Sequence, residues 1–314
     1  MRYLMRRAVH GAALLVGVSL LSFLLLSLAP GNYLSQMRLD PQISPETIAA
    51  LRARYGLDQP LPVTYLRWAA SVARGDMGYS FAYNTPAAPL LFRRAANTLV
   101  LTVTAALLAW LLSVPLGVWM AARAGRWPDR LGTAAMGTLL AVPDLLLALG
   151  LMMLAVRTGA LPAGGMHSAD ASGLGDLAKH LILPAAVLVV GALPILVRHV
   201  RASVLEVLGT PYIQAARAHG IPPARLLFRH VLRAASNPLI SLAGFWAGTL
   251  LSASLLVEVI MGWPGLGPLL LEAMLARDLF LVIDGVLLSA VFLVGGNLLA
   301  DVLLYVADPR IRNS

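Results

Sequence analysis

Apolar residues along this chain gather into long runs, separated by polar stretches whose basic residues are almost all arginine. Six runs approach the roughly 20 residues that a helix needs to cross about 30 Å of hydrocarbon. They are Val9 to Ala29, Thr98 to Met120, Gly132 to Val156, Leu181 to Val197, Pro238 to Ile260 and Leu279 to Val306. The first follows Arg2, Arg6 and Arg7, as the core of a secretory leader would. Leader cores run only about 7 to 15 residues, so this run reads as a retained anchor with its N-terminus in the cytoplasm.

Arginine then sets the orientation, because cytoplasmic loops collect basic residues. With the N-terminus inside, fourteen arginines fall on inside segments, while two short outside loops hold only Arg157, Lys179 and Arg277. Seven more arginines lie between Pro30 and Asn97, a segment too long to weigh in the rule. The expected fold is an all-α integral membrane protein of six transmembrane helices with both termini cytoplasmic. It divides into an anchor at 1–29, an extracytoplasmic segment at 30–96, a five-span core at 97–306 with a cytoplasmic loop at 198–236, and a tail at 307–314. In the extracytoplasmic segment Ser44 can cap a helix, Pro45 suits its first position, Ile48, Leu51 and Tyr55 follow at helical spacing, and Gly56 can end it. This predicts a small helical cap, with a plain spacer as the alternative.

Composition narrows the chemistry. With 59% hydrophobic and 12% charged residues in 314, the chain belongs with membrane proteins. Its net charge of +9 is scattered between apolar runs and is not interleaved with aromatics, which argues against nucleic acid. There is no cysteine, so disulfides, thiolate catalysis and cysteine-ligated metals are excluded. The six histidines show no compact ligand spacing, and no metal site is expected. The only lysine is Lys179, in DLAKHL, so the phosphate-cradling loop that needs a lysine is missing. No GxSxG, HExxH or paired carboxylates appear, and no catalytic residues are expected.

Four acids fall within the runs: Asp144, Glu258, Asp284 and Asp301. Charge in hydrocarbon is costly, so each is a functional candidate. Asp144 follows Pro143 in mid-run, where a broken helix could line a solute path; the alternative is a satisfied polar group between helices. Glu258 is a second candidate for the path, although it, Asp284 and Asp301 lie nearer the ends of their runs and could reach the interface. Gly244, Gly248 and Ser252 recur every four residues on one helix face and suit either a subunit contact or gate, or ordinary packing within the chain.

The loop at 198–236 carries YIQAARAHGIPPARLLFRH, Tyr212 to His230. Thr210 can cap a helix, Pro211 fits its first position and Gly220 can close it in the left-handed conformation, giving about nine residues. Isolated helices this short are marginal, so something must hold it. Tyr212, Ala215, Ala216 and His219 share one face, shallow enough to sit in a partner's groove. A helix lying on lipid headgroups is the alternative, but alanine serves that poorly. Pro222 and Pro223 force a turn before a second, arginine-bearing helix.

The stretch QAARAHG, Gln214 to Gly220, resembles the EAA motif (E-A-A, three variable residues, G) of permease subunits in binding-protein-dependent ABC importers. Further stretches resemble the dipeptide, oligopeptide and nickel branch: LRARYGLDQPLPVTYLRW (Leu51 to Trp68), RGDMGYSF (Arg74 to Phe81), VEVIMGWPGLG (Val257 to Gly267) and NLLADVLLYVADPRIR (Asn297 to Arg312). The resemblance covers nearly the whole chain and looks like the first permease of such systems, with a type I importer fold. It implies a homologous second permease, two ATP-binding cassette ATPases carrying ATP and magnesium, an extracytoplasmic solute-binding protein, membrane lipid around the spans and residence in the bacterial cytoplasmic membrane. It also implies ATPase coupling through Tyr212, Gln214, Ala215, Ala216, Arg217, Ala218 and Gly220, and an outer turn at Trp263, Pro264, Gly265 and Gly267. Gln214 stands where the motif has glutamate, and APGNYLSQ (Ala29 to Gln36) replaces the usual PGDP-type turn, which leaves the outer cap and the cargo open. The resulting expectation is a permease that moves peptides or similar small polar solutes by alternating access. A self-contained secondary transporter is the alternative.

Overall fold

The computed structural model describes residues 2–28, 46, 59–168 and 173–307. Apart from Glu46, the helix expected between Ser44 and Gly56 lies outside the described residues, as do the stretch Ala29 to Gln36 and the tail from 308. The described chain is almost wholly helical: α1 (Arg2–Leu28), α2 (Leu61–Ala73), a two-residue antiparallel hairpin of β1 (Tyr79–Ser80) and β2 (Thr85–Pro86), α3 (Ala87–Ala122), α4 (Trp127–Leu140), α5 (Asp144–Thr158) and α6 (Leu174–Leu208). There follow α7 (Pro211–Ala218), the short α8 (Pro223–Arg225), a π-helical turn at Leu226–Val231, α9 (Leu232–Ile260), α10 (Leu266–Leu275) and α11 (Leu279–Ala307).

Five of these are long and apolar enough to cross a membrane: α1, α3, α6, the run Pro223–Ile260 and α11. The sixth expected span, Gly132 to Val156, is not one rod. It is α4 and α5 meeting at a bend of 92°. The helices part at Val142 and Pro143, where the residue before a proline is biased away from the helical region, and Pro143 is extended at φ −63°, ψ 136°. The fifth span begins earlier than expected, because α8, the π-helical turn and α9 form a 38-residue run with Pro238 inside it.

By compactness the described chain forms two units, neither contiguous in sequence as the expected domains are. The first comprises Met1–Arg6, Leu99–Trp263 and Leu293–Ser314. Its centre is α6, whose Val187, Leu188, Ala192, Leu196 and Val197 are buried with Leu101, Ala105 and Ala109 of α3, Ala148 of α5, and Trp246 and Val257 of α9. Hydrocarbon offers no hydrophobic gain for helix association, so close packing must supply it, and the alanines let the backbones approach. Gly244 and Gly248 belong to this packing: a Cβ on Gly244 would lie 2.3 Å from Cβ of Ala300, and one on Gly248 would lie 1.8 Å from Cδ1 of Leu293. Both partners are on this chain's own α11, and Ser252 bonds back to the Gly248 carbonyl at 3.3 Å within its own helix.

The second unit comprises Arg7–Thr98 and Pro264–Phe292. Phe23 of α1 meets Tyr65 edge-on at 5.6 Å and Trp68 at 5.7 Å, and Ile283 of α11 closes the cluster. Two acids organise its polar interior. Asp284, on α11, accepts the Trp68 indole N–H at 2.8 Å, and Asp278 accepts the Ser80 hydroxyl at 2.7 Å and the Ala82 N–H at 3.1 Å. Tyr83 donates to Glu272.

Candidate functional site

Helix α7 is the shortest element with a sequence signature, and its ends explain its length. Thr210 is the residue before it but does not cap it: its hydroxyl donates back to the Val207 carbonyl at 2.6 Å, in the last turn of α6. At the other end Gly220 takes φ +77°, Gly220 N–H reaches the Arg217 carbonyl at 2.9 Å and Ile221 N–H reaches that of Ala216 at 3.3 Å. This is a Schellman closure, which needs a residue that tolerates positive φ. Eight residues cannot hold a helix alone, and Ile213 supplies the missing support. It is fully buried among Val118 and Ala121 of α3, Val200 and Val204 of α6, and Leu226, Val231 and Ala235. Ala216 is half-buried against the same cluster, whereas Tyr212, Gln214, Ala215, Arg217, Ala218 and His219 are exposed. The expected shallow face is therefore present with Ala216 at its edge. Ile213 was not singled out from sequence, although it is the only large aliphatic residue in PYIQAARA.

Behind α7, the end of α6 is tied to the start of α4. Arg201 grips Asp129 through Nε at 2.6 Å and Nη2 at 2.8 Å, and Gly125 N–H adds a bond at 2.9 Å. Asp129 is buried. Spacing gives no signal for a pair 72 residues apart.

The turn after α9 is equally built. Gly262 has φ +61°, and Trp263 N–H returns to the Glu258 carbonyl at 2.9 Å. Trp263 is fully buried. Gly165 N–H donates to the Met261 carbonyl at 3.0 Å, and Gly164 lies so close that a Cβ there would stand 2.7 Å from that oxygen. In the second unit, the Asn97 amide donates to the Pro264 carbonyl at 2.8 Å, and Leu266 N–H donates to the Thr98 hydroxyl at 2.8 Å. Gly265 is extended ahead of α10, and Gly267 is buried within it.

Of the four acids, Asp144 alone is partly exposed, and it stands at the first position of α5, at the break. Glu258, Asp284 and Asp301 are all buried, at 0%, 1% and 7% exposure. Helix packing encloses all three, and Asp284 is held by the Trp68 indole.

Known proteins match this all-helical chain. Residues 113–313 match the family described as binding-protein-dependent transport system inner membrane component, and residues 1–102 match the N-terminal part of such membrane components. The chain belongs to this family. It is 37% identical over 313 residues to the oligopeptide transport system permease protein AppB of Bacillus subtilis, covering 99% of each chain. It is 34% identical over 336 residues to the dipeptide transport system permease protein DppB of Escherichia coli K12, with 100% of this chain and 99% of that one covered. It is 33% identical over 313 residues to the glutathione transport system permease protein GsiC of Salmonella paratyphi A, covering 99% of each. Among solved structures, the MetNI methionine ABC transporter matches with a TM-score of 0.59 at 20% identity, over 70% of this chain and 96% of that one. The chain is thus a multi-pass permease subunit of an ATP-binding cassette importer in a bacterial inner membrane.

Proposed function

We propose that this permease carries peptides, or small polar solutes like them, across the cytoplasmic membrane by alternating access. Two ATP-binding cassette ATPases, holding ATP and magnesium, drive it through α7. The observation that carries this reading is the seating of α7: one buried side chain, Ile213, fixes the helix to α3 and α6, while its small, exposed face is left for a partner. A push on that face is transmitted to the spans through packed side chains. The permease pairs with a second homologous permease, and a solute-binding protein delivers cargo at the turn around Trp263 to Gly267. Both termini and α7 are cytoplasmic. Membrane lipid covers faces such as that of α1, where Val9, Leu21 and Leu25 are exposed. Asp144, partly exposed at the break, borders the solute path; fully buried Glu258 is not assigned to it in this conformation.

Two measurements test the reading. Affinity purification of the tagged chain should bring down a second permease and ATPases, and the assembled complex in proteoliposomes should take up a labelled dipeptide only with ATP and the binding protein. Peptide uptake by the isolated chain without ATP would instead establish the secondary transporter.

A further inference from the structure

Gly191 is the midpoint of α6, with seventeen residues of the helix on either side. Within the apolar run Leu181 to Val197 it lies, at 1.5 Å per residue, about 15 Å from one end and about 9 Å from the other, inside the span. A Cβ on Gly191 would stand 2.6 Å from Oδ1 of Asp144. The glycine is therefore a notch, and the carboxylate at the α4–α5 break fills it. Asp144 caps nothing: no side-chain hydrogen bond closes the start of α5. No ion pair or hydrogen bond joins it to any described residue.

The facing helix adds an acceptor of its own. Pro194 lies inside α6 and has no N–H, so the carbonyl four residues earlier, that of Val190, loses its helical donor. That carbonyl belongs to the peptide bond joining Val190 to Gly191. The carboxylate thus fills the notch at Gly191, and the peptide bond leading into that glycine carries a carbonyl that lacks its usual i+4 donor, in mid-span, where an unsatisfied polar group is costly.

We infer that Asp144, with the Val190 carbonyl beside Gly191, forms a binding site for a primary ammonium group. It would receive the amino end of the cargo on its way across. Among the described residues no arginine or lysine occupies the position, and a primary ammonium offers three donors to match several acceptors. The cargo assignment rests on the proposed peptide-import reading; the affinity for an ammonium group does not.

The test uses the assembled transporter and dicyclohexylcarbodiimide, which modifies carboxyl groups in apolar surroundings, with the Asp144 adduct followed by peptide mass spectrometry. Propylammonium near ten times its Kd should slow formation of the adduct by about tenfold through simple mass action. N-propylacetamide, of similar shape without the charge, should not slow it, and a free dipeptide should protect where its N-acetyl form does not. Gly191→Ala should abolish the protection by displacing the carboxylate, and Asp144→Asn should remove the adduct. Equal protection by the charged and neutral probes, by sodium as well as by the amine, or by none of them would overturn the site. If propylammonium protects but wild-type transporter takes up no peptide, the site stands and the cargo assignment falls; the converse result leaves peptide import and removes the site.

Discussion

At the scale of the residue, the Asp129–Arg201 pair shows how much geometry adds to charge. Two parallel bonds from one guanidinium, plus the Gly125 N–H, hold a carboxylate that packing has removed from solvent. Asp129→Asn should cost about 1.5–3 kcal/mol, the range for hydrogen bonds to charged groups, read as a lower midpoint of thermal unfolding in detergent. Arg201→Lys should recover only part of that, since an ammonium cannot match the fork. A lysine variant as stable as the parent would show that charge alone suffices. Tyr83 offers a pH-dependent counterpart outside the spans. Burial, and then the hydrogen bond to Glu272, push its phenol up to about 12 from 10.0. A raised pKa means the protonated form is favoured by folding, so the stabilisation is complete below about pH 10 and fades as pH climbs through about 12. Tyrosinate absorbance during alkaline titration should contain a late component near pH 12 that Tyr83→Phe removes.

At the scale of the element, α7 separates two roles on two faces. Ile213→Ala empties a packed site, and losses of about 2–5 kcal/mol for such truncations exceed anything an eight-residue helix can supply alone. The variant should insert in the membrane normally yet lose ATPase in co-purification. Ala215→Trp leaves the buried face untouched and adds bulk only to the exposed one, so it should also lose ATPase without lowering permease yield. Gly220→Val places a β-branched residue at φ +77°, at a cost of at least about 1–2 kcal/mol for the left-handed region, and should weaken the Schellman closure. Full ATPase recovery with Ala215→Trp would remove α7 from the docking surface. The legibility of α7 was uneven for a physical reason. Its boundaries depend on Pro211 and Gly220, whose backbone preferences are local, whereas the role of Ile213 depends on a cluster drawn from α3, α6 and α9.

At the scale of the whole molecule, the proposed topology makes a direct prediction, aided by the natural absence of cysteine. Ala82 in the hairpin region and Ala218 at the end of α7 are both exposed. As single cysteines in intact cells, Ala82→Cys should react with a membrane-impermeant maleimide and Ala218→Cys should react only after permeabilisation. Labelling of both without permeabilisation, or the reversed pattern, would invert or break the orientation. Peptide cargo and ATPase drive would survive neither result unchanged, because α7 must face ATP.

The linear sequence by itself determined the class, the position of the apolar segments and the ends of α7. Each depends on something local: a run of apolar residues long enough for hydrocarbon, a proline whose fixed φ suits a helix's first position, a glycine that tolerates positive φ. It also pointed to Pro143 as a break, because a proline biases the residue before it away from the helical region. Tertiary structure alone decided which ionisable groups are enclosed and by what. Trp68 and Asp284 lie 216 positions apart, and Asp129 and Arg201 lie 72 apart, separations at which no periodicity survives. It also decided that Gly244 and Gly248 accept this chain's own α11, and that Gly191 opens toward Asp144. Close approach of two helices is a property of both surfaces at once, and a single chain read in order shows only one of them at a time.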